Sequence, residues 1–479
     1  MNKKVYLFAA VAALFAACSN NDGAESAEKA QAQAQAQQVP LAFDTYVSRS
    51  VTRSGKTGEF TGTNIKTDFK DEAFGVFAYY TNSETYDQVF TPNFMYNQLV
   101  KWDGSAFTYE PIKYWPNEYG SNALSDDVDK VSFFAYAPYV AATNVASGKV
   151  DDTTKGITGF TRNNVVGDPM VKYITTFGTD EQVDLCWGVV AATPPTWTNK
   201  NTDATSLTAG FPWLNIEHPT ATSTAWASAQ KVTFDFNHAL AALNVQVDTK
   251  TNSTSPANPD ATGNHTKVYI RSVTFEGFAT KGALNLNNTT ANTALWYNYD
   301  TNNELDNGDE TVIQDGRKDG KEGITAATRE YARINPNFVQ STLWDATSPM
   351  PGVTETPENL FSKADGTAAA GADDYIYVIP NGDKLKVTIE YDVLTEDDKL
   401  SGYLNDGKNH GSVVKNTITR YITASGSGDV ANGDVTLVNG KKYLINLHLG
   451  LNSVEFDATV TAWGDAATPD GGADLPQNN

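Results

Sequence analysis

The chain has 479 residues, with 57 acidic against 35 basic side chains and a formal net charge of −22. A field of that sign repels nucleic acid and anionic lipid, so neither is expected as a partner. The acidity instead suits a soluble, secreted surface, and the length suits two domains once the N-terminal segments are set aside.

Lys3 and Lys4 precede an apolar stretch from Val5 to Ala17 that ends in the small pair Ala16-Ala17. A basic start, an apolar core and small residues before the cut describe a secretory signal peptide over 1–17, too short to span a bilayer. Cys18 follows directly, then the polar, acidic run Ser19-Asn20-Asn21-Asp22 with Glu25 and Glu28 behind it. A lone cysteine after small residues resembles the lipobox of bacterial lipoproteins, although Phe15 stands where that motif usually has leucine and Leu14 lies one step further out. The acidic run resembles the signal that directs such lipoproteins to the outer face in Gram-negative anaerobes. Cys18 is therefore the expected lipidation site and the outer membrane surface the expected location. Ordinary secretion with an incidental cysteine is the alternative. The lipid would be the only membrane attachment, since no other stretch approaches the ~18 to 20 apolar residues of a spanning helix. Residues 18–38, almost all Ala, Gln, Glu and Ser from Ala24 onward, cannot bury a core and read as a flexible tether.

Beyond the tether, alternation of apolar and polar residues recurs with turn signals between, which predicts an all-β chain. Val39, Leu41, Phe43 and Val47 alternate, with Asp44 and Ser48 on the other face, and predict a first strand over 39–47. The Ser- and Gly-rich loop from Ser48 to Gly58 carries Arg49 and Arg53. Cys186 lies in the apolar run Val183 to Val190 and reads as a small buried hydrophobe. With Cys18 lipidated it has no partner for an intramolecular disulfide. Between Lys231 and Val247 the parity flips: Val232, Phe234 and Phe236 share one face, and Leu243, Val245 and Val247 the other. A bulge, or a strand passing from one sheet to another, would do this. Thr249 to His265, rich in Asn, Thr, Ser and Pro, is the expected linker between an N-terminal β-sandwich over 39–248 and a C-terminal one over 266–463.

Asp300 to Gly323 is a polar loop. Pro380-Asn381-Gly382-Asp383 predicts a tight hairpin between Tyr375 to Ile379 and the alternating run Leu385 to Val393. A last hairpin pairs the row Tyr443, Ile445, Leu447, Leu449 and Leu451 with the row Val454, Phe456, Ala458, Val460 and Ala462. One-sided alternation predicts antiparallel sheets. Gly464 to Asn479 is an acidic tail without alternation.

The blocks Phe74 to Tyr80, Pro92 to Gln98, Tyr109 to Pro116, Val131 to Tyr139, Val183-Asp184-Leu185 and Phe234 to Ala241, followed by the Tyr443 to Trp463 hairpin, together resemble the fimbrillin family. The resemblance runs from about Val39 to the last hairpin, and several ordered blocks are more specific than one motif. It implies two tandem transthyretin-like β-sandwich domains and a type V pilus subunit exported as a lipoprotein. It also implies trimming by a trypsin-like protease after an arginine near the start of the first domain, with Arg53 or Arg49 the candidates here. Trimming releases the 39–47 strand, and a strand from another pilus subunit fills the groove. Val454, Phe456, Ala458, Val460 and Ala462 form the candidate donor, because their two-residue repeat matches that of Val39, Leu41 and Phe43.

No catalytic constellation is visible, so no enzyme activity and no cofactor is expected. His218, His238, His265, His410 and His448 show no metal-binding spacing, no metal site is expected, and His238 reads as a hydrogen-bonded structural residue. Asp300 to Glu310 offers calcium-type oxygen ligands but lacks the EF-hand glycine and reads as a solvated loop. Asp152-Thr153-Thr154 resembles a short O-glycosylation acceptor motif. The competing functional reading is a monomeric cell-surface lipoprotein that binds a glycan or host surface on a fimbrillin-like scaffold.

Overall fold

A computed structural model describes residues 40–47, 73–82, 86, 89–114, 130–175, 183–190, 213–214, 232–249, 266–287, 294–297, 330–334, 357–359, 376–396, 400, 411–424, 433–450 and 454–462. Among these residues there is no helix, and the fold is all-β.

The first half contributes β1 (Phe43–Val47), β2 (Ala73–Asn82), β3 (Met95–Trp102), β4 (Phe107–Thr108), β5 (Lys130–Ala137), β6 (Ala142–Asn144), β7 (Lys149–Val150), β8 (Ile157–Phe160), β9 (Met170–Ile174), β10 (Cys186–Val190), β11 (Trp213–Leu214) and β12 (Val232–His238). The second half contributes β13 (Ala241–Thr249), β14 (Thr266–Ala279), β15 (Lys281–Asn285), β16 (Leu295–Tyr297), β17 (Glu330–Ile334), β18 (Glu358–Asn359), β19 (Ile376–Pro380), β20 (Lys386–Glu396), β21 (Gly411–Tyr421), β22 (Thr423–Ala424), β23 (Gly433–Asp434), β24 (Lys441–Leu449) and β25 (Val454–Ala462). One sheet runs β1-β12-β10-β5-β2-β3-β4 with β11 on β5. A second runs β21-β20-β14-β19-β13-β24-β25 with β17 and β18 attached, and a third runs β16-β15-β9-β8-β7-β6.

The central strands of the first sheet are buried on both faces, because their apolar residues occupy both parities. Phe74, Val76 and Ala78 of β2 enter one core with Phe133 and Ala135 of β5, while Phe77, Tyr79, Phe134 and Tyr136 enter another. That second core also takes Val171 and Tyr173 of β9, Leu284 of β15 and Tyr377 of β19. A third core lies in the second sheet, built from rows such as Val268, Ile270, Val273 and Phe275 of β14 together with Tyr443, Ile445, Leu447 and Leu449 of β24.

The parity flip near His238 is the passage of one strand path between sheets. β12 ends at His238 in the first sheet, and β13 begins at Ala241 in the second, between β19 and β24. Two strands thus cross the division expected at 249–265. β13 pairs with β24 although it precedes that segment, and β15 pairs with β9 although it follows it.

Two local expectations are corrected. The Asn381-Gly382 turn forms, with Gly382 at φ 80°, but it does not close a hairpin. β19 and β20 are separated by β14, which pairs with both. The cause is a bulge at Gly277, at φ 110°, where a Cβ would lie 2.4 Å from the Lys384 carbonyl oxygen. Below the bulge β14 follows β20 from Thr266 to Glu276, and above it Phe278 and Ala279 turn to β19. The sheets are also not wholly antiparallel, since β1 lies parallel to β12 and β13 parallel to β24. Both pairs are far apart in sequence, which gives the chain room for the crossover that parallel neighbours need.

Because β15 and β13 each tie one half to the sheets of the other, cleavage within the polar segment 250–265 should leave the two fragments associated. Size-exclusion chromatography should show one native-sized species after the cut, and two smaller species only in denaturant. Separation without denaturant would contradict the strand exchange.

Candidate functional site

The expected first strand begins the first sheet. β1 is its edge strand, paired along Phe43 to Val47 with Val232 to Phe236 of β12 and with no strand on its other side among the described residues. Just before it, Pro40 forms a bridge to Tyr114, and the Leu41 amide donates to the Lys113 carbonyl at 2.8 Å. The Tyr109 hydroxyl donates to the Leu41 carbonyl at 2.9 Å, and burial pushes its pKa up to about 12. The Val232 amide donates to the Ala42 carbonyl at 2.8 Å.

Leu41 and Phe43 are buried to 2% and 1% exposure. The Phe43 ring meets four others. Its centroid lies 5.3 Å from Tyr109, 6.0 Å from Phe133 and 6.3 Å from Phe74, all edge-on, and 5.9 Å from Phe234, stacked. Those four rings come from β2, β5, β12 and the turn after β4. The strand at the margin of the sheet therefore carries its side chains to the centre of a core. Full burial of such an aliphatic or aromatic side chain contributes about 1.5–3 kcal/mol, and the edge-on ring pairs add about 0.5–1.5 kcal/mol each.

The candidate donor is also an edge strand. β25 pairs antiparallel with β24, Val454 opposite Leu449 through Ala462 opposite Lys441, so the predicted terminal hairpin forms. Ala458 is buried and Val460 packs partly against the core. Val454, Phe456 and Ala462 take their places in the pairing register. The structure thus places the two strands at the margins of two different sheets, and in this chain it does not bring them together. Cys18, Val39, Arg49, Arg53 and the acidic loop 300–310 lie outside the described residues. Asp152-Thr153-Thr154 forms an exposed turn in which the Thr154 amide and hydroxyl both donate to Asp152 Oδ1, at 3.0 and 2.6 Å.

A polar cluster that periodicity did not reveal lies where the chain changes sheets. Asp184 and Cys186 sit two residues apart, and the β10–β12 register sets Cys186 opposite His238. His238 Nδ1 contacts Asp184 Oδ2, and the Cys186 thiol donates to the same oxygen at 3.4 Å. Asp184 is fully buried, Cys186 is 1% exposed, and the Asp184 Oδ1 atom has no hydrogen-bond partner among the described residues. Burial pushes the Cys186 thiol pKa well up, and the nearby Asp184 charge adds to the shift, so the thiol is a poor nucleophile. The backbone around His238 is clamped: the Asn439 side chain donates to the His238 carbonyl, Trp296 Nε1 to the Ala239 carbonyl, and the Gly440 amide to the Leu240 carbonyl, at 3.0, 3.0 and 2.8 Å. The signal in the sequence was the Asp184-Leu185-Cys186 spacing, which puts two polar groups on one side of a strand. Its meaning depended on the partner strand.

No family model matches the chain. Over 90 residues it is 34% identical to the fimbrium subunit Fim1C of Phocaeicola vulgatus, an alignment that covers 18% of this chain and 21% of that protein. The match thus spans about a fifth of the relative's length. Among solved structures, a fimbrial protein from Bacteroides vulgatus aligns over 88% of this chain and 99% of its own, at 19% identity and a TM-score of 0.46. A fimbrilin from Porphyromonas gingivalis aligns over 89% and 97%, at 11% identity and a TM-score of 0.36. The chain is similar in sequence to a fimbrium subunit, in keeping with the resemblance carried by its ordered blocks.

Phe43→Ala should destabilise the protein by about 3–5 kcal/mol, the usual cost of emptying a buried phenylalanine site. Tyr109→Phe should cost about 1 kcal/mol through the bond to Leu41. Val414→Ala, at a position 55% exposed, should fall within about 0.5 kcal/mol of the parent. Urea unfolding followed by tryptophan fluorescence checks all three, and a Phe43→Ala effect as small as that of Val414→Ala would mean that β1 is not part of the core.

Proposed function

We propose that the chain is a structural or adhesive subunit of a fimbria, exported as a lipoprotein on Cys18 and assembled by protease-triggered strand exchange. In this reading it folds as two tandem transthyretin-like sandwiches, has no enzymatic activity, and sits at the cell surface. Its partners are other pilus subunits, a trypsin-like maturation protease, and a host or glycan receptor.

One observation carries the reading. Among the described residues β1 pairs with a single neighbour, yet its Phe43, with Leu41 just before it, fills a core lined by Phe74, Tyr109, Phe133 and Phe234. A cut after Arg53, or after Arg49, severs β1 from the rest of the chain. Departure of the 39–47 segment then bares two things together: the β12 edge, with unpaired main-chain groups, and an apolar hollow with a two-residue repeat. Those are the two elements of recognition by strand addition.

The replacement strand comes from the Val454 to Ala462 segment of a neighbouring copy. It leaves an antiparallel pairing with β24 that runs its full nine residues, so the acceptor must offset that loss. Exchange should therefore be slow, and the product hard to reverse once formed.

Treatment of the parent with a trypsin-like protease should yield filaments visible by negative-stain microscopy. Arg49→Ala/Arg53→Ala should leave folded monomer under the same treatment, and deletion of Val454 to Asn479 should give subunits that accept a strand but cannot extend a filament. If the double arginine variant polymerises like the parent, the pilus reading fails and the monomeric binding lipoprotein replaces it.

A further inference from the structure

We propose that Asp184, Cys186 and His238 form a mononuclear site for a zinc-like divalent cation at the junction of the first two sheets, with Oδ2, Sγ and Nδ1 as ligands. All three atoms lie within 4.8 Å of one another. Zinc takes sulfur at about 2.3 Å and nitrogen or oxygen at about 2.0–2.2 Å in a tetrahedron, which sets ligand sulfur and ligand nitrogen or oxygen roughly 3.5 Å apart. The observed separations are 3.4 Å from Sγ to Oδ2 and 3.7 Å from Sγ to Nδ1. The third edge, between Nδ1 and Oδ2, is a direct contact that opens when an ion sits between them.

Chemistry and burial support the same assignment. The Cys186 thiol and the His238 ring nitrogen both converge on Oδ2, while Oδ1 of the same carboxylate is buried without a partner among the described residues. An unpaired buried carboxylate oxygen costs stability, and a fourth ligand, a water on the metal, would donate to it. On binding, the Cys186 thiol proton leaves to solvent and the sulfur–metal bond takes its place, while the imidazole carries its one proton on Nε2 so that the Nδ1 lone pair binds the metal. One carboxylate, one thiolate and a neutral imidazole then balance a dication, so no net charge is buried. The thiolate and imidazole select zinc-like ions over calcium or magnesium, which prefer oxygen. The site has a route to solvent, because the His238 side chain keeps 10% of its surface exposed. Its residues are distinct from β1 and β25, so the site stands or falls independently of strand exchange.

The test uses the full chain with Cys18→Ala, which leaves Cys186 as its sole thiol. Titration of the chelator-stripped protein with Co²⁺ should saturate at one equivalent, with a near-ultraviolet sulfur-to-metal charge-transfer band and the intense visible bands of tetrahedral cobalt. Zn²⁺ should displace both. Cys186→Ala should abolish the charge-transfer band, and His238→Gln should weaken binding by more than the roughly 100-fold that loss of an outer partner costs. X-ray absorption of the zinc-loaded parent needs no further variant and should find one sulfur at about 2.3 Å. No saturable cobalt binding, a band that survives Cys186→Ala, or a zinc shell of nitrogen and oxygen alone would each overturn the site.

Discussion

The structure depends on a phenylalanine from an edge strand sitting in the middle of a core. Phe43 touches rings from three strands and a turn of the first sheet, but among the described residues β1, the strand that delivers it, pairs with β12 alone. Its contribution to stability is that of an interior residue, while its attachment is that of a margin. A sheet built this way needs an apolar occupant in that position. The strand order follows from this. β10, β5 and β2 form a platform of two-faced strands, and β12 and then β1 continue the sheet on its near side.

The two apolar faces of those central strands have a second consequence. One face is covered by β1 and the Tyr109 turn, the other by β9, β15 and the start of the second sheet. The second core therefore draws on residues as distant as Phe77, Trp187, Leu284 and Tyr377. Leu41 and Phe43 belong to the first core and not to the second. The short path from His238 to Ala241, held by Asn439, Gly440 and Trp296, joins the sheets at a fixed point, and the Asp184–His238 pair lies at that same point.

Much of this was legible in the sequence. The blocks that resembled fimbrillins proved to be neighbours in space: the strands β12, β5, β2 and β3 that they contain lie in one sheet, with β10, which follows the Val183 to Leu185 block, between β12 and β5. Two-residue alternation located Leu41 and Phe43 on a buried face, and the parity flip near His238 pointed to a bulge or a change of sheet, of which the structure has the second. Other features were hidden because they depend on partners far away in the chain. Nothing around Asn381-Gly382 reveals that β14 will lie between the strands the turn connects; that depends on Gly277, a hundred residues earlier, bending β14. Parallel pairing of β1 with β12 and of β13 with β24 is likewise set by global topology, as alternation reads the same in either direction. Asp184 and Cys186 gained meaning only when register placed His238 across from them.

The central claim is that β1 is a replaceable occupant of its site, and peptide complementation tests it most directly. The protein is cut in the Ser48 to Gly58 loop and incubated with a fluorescent peptide spanning Val454 to Ala462. Anisotropy and mass spectrometry then follow the two strands. The account predicts that the cut protein releases the fragment containing Leu41 and Phe43 and takes up one peptide per molecule, while uncut protein takes up none. A cut protein that keeps its fragment and ignores the peptide, or an uncut protein that binds it equally well, would contradict the account.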